Sequence, residues 1–102
     1  MEDRILNKLN VKLRKPFSFE GKEYTDVDLS GLENLTGRDM EEIEKTLSRE
    51  NLDTINAELT LHGTMLYAAH ATGKPIEFFQ SLPAVDCRRI KNTVINFFMM
   101  AV

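Results

Sequence analysis

The side chains best suited to chemistry are few: His62, His70, Glu58 and the single Cys87. Glu58 and His62 stand four residues apart, which on one helix places a carboxylate and an imidazole on the same face, the spacing of two metal ligands. His70 lies two further turns along, too far to join the same ion directly, and no second thiol accompanies Cys87. Cys87 beside either histidine has the types of a nucleophile and its base, but no orienting third group or oxyanion turn accompanies them. A lone cysteine among apolar neighbours is more simply a small core residue. The five glycines are scattered, so no phosphate-cradling loop is present. The residues specify no catalytic, cofactor or metal site.

Whatever these residues do depends on the elements that carry them. Leu9, Val11 and Leu13 alternate with Asn10, Lys12 and Arg14, and Phe17 and Phe19 alternate with Ser18 and Glu20. That period of two predicts a strand with one apolar face. Glu20-Gly21-Lys22 is a turn signal, after which Tyr24, Val27 and Leu29 resume the pattern with a slip of one residue between Tyr24 and Val27. The slip reads as a bulge or as the end of the strand. Pro16, which has no N–H, suits an edge or the start of a strand. A two-stranded ribbon is marginal alone in water, so it must lie on helices or pair with another chain.

From residue 36 onward the pattern turns helical. Thr36 and Asp39 form a capping-box spacing, and Met40, Ile43 and Leu47 share a face with Glu41, Glu42, Glu44 and Lys45 outside it. Glu50-Asn51 is expected to end that helix. A second is predicted from about Asp53 to Thr72, with Gly63 marking a kink or a close helix contact, at a cost of roughly 1 kcal/mol against Ala. Gly73 is its expected C-cap, with Pro75 beyond. Ile76 to Phe79 forms a short third turn or helix, and Pro83 opens the last helix at its first position. The predicted fold is α+β and mostly helical: one domain over 1–102, with a β-hairpin part at 9–29 and three or four packed helices at 36–100.

Composition limits the function further. The 102 residues are 42% apolar and 28% charged, with six Phe, five Met and no Trp, as expected of one ordinary globular domain. No apolar run is long enough to span a bilayer, Met1-Glu2-Asp3-Arg4 lacks the apolar core of a signal peptide, and one cysteine makes no internal disulfide. A cytoplasmic location is therefore expected. The net charge of −3 conceals a gradient: six basic against three acidic groups in 1–22, two against seven in 39–58, and four against two in 74–102. With no concentrated basic stripe the chain is a poor nucleic-acid binder. The acidic block reads as a solvated helix face.

One feature exceeds the needs of a small core. Residues 97–102, Phe-Phe-Met-Met-Ala-Val, are all apolar, and a helix distributes them around its whole circumference. They form either a buried terminal helix with a frayed end or a docking surface for a partner or a second copy. In the second case the contact residues are expected among Phe78, Phe79, Ile90, Val94, Phe97, Phe98, Met99 and Met100.

Taken in order, three segments resemble the tail assembly chaperones of long-tailed bacteriophages and prophages. They are residues 15–24 (KPFSFEGKEY), 35–40 (LTGRDM) and 78–86 (FFQSLPAVD), and the likeness runs over about residues 12–98. It rests on a hairpin with Gly-Lys-Glu-Tyr, a Thr-Gly-Asp-type helix start, and a Leu-Pro-x-x-Asp helix ending in aromatics. The resemblance implies a non-enzymatic protein, without cofactor, in the host bacterial cytoplasm. It implies binding to the tape measure protein, which is kept soluble while the tail tube forms, and the tail tube protein is a further candidate partner. Homo-oligomerisation is expected, and no nucleic-acid or membrane partner. The family has no catalytic residues to carry over. The competing expectations are a structural tail component retained in the virion, a small helical DNA-binding regulator suggested by Arg88-Arg89-Lys91, and an orphan enzyme subunit.

Overall fold

A computed structural model describes residues 9–50 and 59–100. Strand β1 (Asn10–Phe19) pairs antiparallel with β2 (Lys22–Asp28), and a 3₁₀ turn (Ser30–Asn34) follows. Four α-helices complete the described residues: α1 (Gly37–Arg49), α2 (Leu61–Thr72), α3 (Ile76–Gln80) and α4 (Ala84–Met100). The expected order, a hairpin followed by helices, is the observed one.

The hairpin closes through Glu20 (φ 50°) and Gly21 (φ 78°), two successive left-handed residues of the kind that match the twist of paired strands. The ladder pairs Lys12 with Asp26 and then Phe17 with Tyr24. Residues 13–16 of β1 thus oppose Thr25 alone. The irregularity read at Tyr24 to Val27 therefore belongs to β1, while β2 continues through Asp28. Pro16 lies in this interruption, where its missing N–H costs no ladder bond. The displaced backbone turns the Arg14 N–H toward Asp86 Oδ1, 3.3 Å away in the first turn of α4.

Helix α1 starts as its residues require. The Thr36 N–H donates to Asp39 Oδ2 at 2.8 Å, and the Asp39 N–H donates to Thr36 Oγ1 at 3.4 Å. Ile43 and Leu47 are buried, and Glu41, Glu42 and Glu44 are exposed. Hydrogen bonds from Thr36 to the ionised carboxylate, backbone first and hydroxyl second, lower the Asp39 pKa below its ordinary 3.8. A folded-state pKa lowered in this way contributes stability that is complete above the unfolded value and lost as pH falls through the folded one. We expect thermal melts of an Asp39→Asn variant to lose part of the wild-type decline below about pH 4. An acid limb identical to wild type removes the cap from the account.

The second helix begins later than its apolar pattern suggests. Thr60 is extended (φ −90°, ψ 155°), and its Oγ1 accepts the Gly63 N–H at 3.0 Å, so α2 starts at Leu61. An extended cap interrupts any helix running from Asp53 through this point, and Gly63 sits in the first turn instead of kinking a helix interior. Residues 51–58 lie outside the described residues. From Gly63 to Ala68 every residue of α2 is buried, which marks it as the central helix, covered on all sides over this stretch. Its far end closes on Gly73 (φ 74°), whose N–H reaches the Ala69 carbonyl at 2.9 Å. Pro83 stands one residue ahead of α4, and its carbonyl accepts the Cys87 N–H at 2.9 Å.

The core is one cluster drawn from every element, including Val11, Val27, Leu29, Leu32, Ile43, Leu47, Tyr67, Phe78, Phe79, Ile90 and Val94. Asp86, the acid of the Leu-Pro-x-x-Asp segment, ties hairpin to helix at 2% exposure. Besides the Arg14 N–H it faces Arg14 Nε at 3.8 Å and Arg89 Nη1 at 3.7 Å, and Arg89 in turn donates to the Lys12 carbonyl. Both arginines are about half exposed and can rehydrate, so the part-buried hydrogen bond from the Arg14 N–H dominates the cost of removing the carboxylate. Asp86→Ala is expected to cost about 2 kcal/mol in urea unfolding, and Asp86→Asn, which keeps the acceptor, about half as much. Equal costs for the two would instead place the effect in the charge.

Candidate partner-binding surface

The residues expected to meet a partner divide into two groups. Phe78, Phe79, Ile90 and Val94 are fully buried and belong to the domain's own core, so in this conformation they are not open to another chain. Phe78 and Phe79 are consumed by α3, a five-residue helix that drives both rings inward against the hairpin and α2. Phe97 and Phe98 are partly buried against the core, with the Phe98 ring set edge-on to Tyr67 at 5.0 Å. Met99 is 55% exposed. The Met100 side chain and residues 101–102 lie outside the described residues.

Exposed apolar surface also occurs where the sequence signal was silent. Leu61 is 46% exposed and Val85 48%. Leu61 lines a groove of about 470 Å³ between α2, the end of α3 and the start of α4. Leu61 and Met65 form one wall, Ala84 and Cys87 the other, with Leu82 between them. Arg88 and Lys91 supply the charge at its edge. No single segment carried this signal, because the two walls come from helices about twenty residues apart in sequence.

The chemistry available here is that of contact. Cys87 Sγ lies 3.7 Å from Met65 Sδ, and burial raises the thiol pKa above its ordinary 9.0, which keeps it protonated and weakly nucleophilic near neutrality. His62 at the head of α2 meets Glu50 at the end of α1, Nε2 to Oε2 3.1 Å. Glu58 and His62 share a face only on one helix running through both, which the extended Thr60 interrupts; Glu58 lies outside the described residues. Among the described residues, Asp39, Glu42 and His70 bring ligand atoms within 4.8 Å of one another. Asp39 is already engaged by Thr36 and sits at the positive end of the α1 dipole, an unfavourable place for a cation. That group is a helix cap with neighbours.

Among the described residues no helix is long and apolar enough to cross a membrane. Residues 10–99 match the model of the family described as phage tail assembly chaperone proteins, E, or 41 or 14. Neither the curated proteins nor the solved structures provide a match.

Proposed function

Because this chain belongs to the phage tail assembly chaperone family, we propose that it binds the tape measure protein of its tail and keeps it soluble while the tube assembles. The family match across residues 10–99 carries the reading. A tape measure protein is a long, largely helical and apolar chain that aggregates when left uncovered. The exposed Leu61, Val85 and Met99 offer apolar contact on a small helical body, and the acidic outer face of α1 keeps a complex soluble. Within the predicted surface, the exposed Met99 beside the partly buried Phe97 and Phe98 supports contact at the end of α4. The role requires no catalysis. It is exercised in the host cytoplasm, with homo-oligomerisation raising the number of contacts along one long partner.

Co-expression with the tape measure protein encoded in the same tail gene cluster tests this directly. The expected result is a soluble complex that co-purifies, and purified tails from which this chain is absent by mass spectrometry. A tape measure equally insoluble with and without the chain, and bound to nothing, removes the proposal; retention in tails makes the chain a structural component.

A further inference from the structure

We propose that the groove between α2 and α4 seats an amphipathic helix with acidic flanks, and that this helix is the tape measure segment the chain holds; the identity of the guest rests on the reading above. Ala84, Cys87, Arg88 and Lys91 occupy i, i+3, i+4 and i+7 of α4, one stripe of about two turns and about 10 Å at 1.5 Å per residue. Leu61 and Met65 at i and i+4 of α2 face the same groove. Leu61 and Met65 on one helix and Ala84 and Cys87 on its neighbour make an apolar trough that a third helix fills with its own i, i+3/i+4, i+7 anchors. The soft Met65 and Cys87 sulfurs adapt to varied apolar side chains, as suits a long partner without one fixed motif.

Charge selects the guest. Among the described residues, Arg88 and Lys91 are the charged ones lining the groove, and neither has a carboxylate partner there. Arg89, by contrast, is already engaged by Asp86 and the Lys12 carbonyl. An apolar floor with a cationic edge complements an apolar face bordered by Asp or Glu, and repels one bordered by Lys or Arg. A second copy is a poorer occupant. Its acidic helix α1 has the right charge, but that helix has Ile43 and Leu47 buried in its own core and presents no apolar stripe to insert.

The test titrates the full-length protein with two synthetic amphipathic helices that share one leucine face, one flanked by Glu and the other by Lys. We expect the Glu-flanked peptide to bind about tenfold tighter, with the advantage shrinking as salt screens the pair. Bound peptide should slow alkylation of Cys87, the only cysteine in the chain. An Arg88→Glu, Lys91→Glu double variant should reverse the preference while its thermal melt stays cooperative. Equal affinity for the two peptides, or Cys87 alkylated as fast in the complex as in the free protein, overturns the assignment. So does Cys87 protection by self-association without peptide, which places a second copy in the groove. With the co-expressed tape measure, loss of co-purification in the double variant supports the groove. Retention with Cys87 still reactive overturns the groove and leaves the tape measure reading standing. If the wild-type chain captures no tape measure, that reading fails, and the peptide titration then judges the groove by itself.

Discussion

Replacing Phe78 by alanine should cost about 4 kcal/mol, the largest single loss in the domain. The ring is fully buried and is the meeting point of four others: Phe17 at 5.5 Å, Phe19 at 5.3 Å, Tyr24 at 4.9 Å and Phe79 at 5.1 Å, each set edge-to-face. Three of these belong to the hairpin, so Phe78 is the peg that fastens the ribbon to the helices. Lys74 Nζ adds a cation 5.6 Å from its centroid and 5.2 Å from that of Tyr24. Truncation to alanine removes the transfer energy of a phenyl ring and leaves a cavity bounded by aromatic edges that cannot collapse together. Small domains have about 5–15 kcal/mol to lose, so the variant should unfold at a much lower urea concentration with little change in slope. Phe78→Leu, which fills part of the space without the ring edges, should cost less than half as much. A loss under about 1 kcal/mol for Phe78→Ala contradicts the packing described here and reopens the expectation that this ring meets a partner.

Gly31→Ala should be nearly as damaging, at about 3 kcal/mol, for a different reason. A Cβ at Gly31 falls 2.0 Å from the Ala71 carbonyl oxygen, 2.9 Å from its carbon and 3.3 Å from its Cα. All three are backbone atoms of α2, so no side-chain rotation relieves the overlap; the 3₁₀ turn and the central helix must separate. Alanine's restriction of the unfolded chain gives back less than about 1 kcal/mol. The expected fall in melting temperature is on the order of 12 °C or more. Gly73 is the internal control. It has φ 74° and no atom within 4 Å of an added Cβ, so Gly73→Ala meets backbone strain alone and should cost about 1 kcal/mol. If the two variants melt together, the close approach at Gly31 is not what distinguishes it.

The division between what was readable and what was not follows the range of the forces involved. Thr36 with Asp39, Gly21 in its turn, Gly73 at its cap and the alternation from Leu9 to Phe19 act within a few residues, so residue types at fixed spacing were enough to place them. The family likeness, in its three ordered segments, was legible for the same reason. The start of α2 at Leu61, behind the Thr60 cap, is hidden in the sequence because an apolar run of period 3.6 outweighs one threonine with a glycine three residues on. Periodicity also identifies an apolar face without saying what covers it. Phe78, Phe79, Ile90 and Val94 are compatible with a core or with a partner surface by residue type, and the hairpin and α2 close over them. Asp86 and Arg14 stand 72 positions apart, and the contact of Gly31 with Ala71 joins a turn to a helix end. Such long-range pairings, like the two helices that wall the groove, come into being only when the chain packs, because chain connectivity constrains neighbours in sequence and leaves distant segments to be brought together by burial.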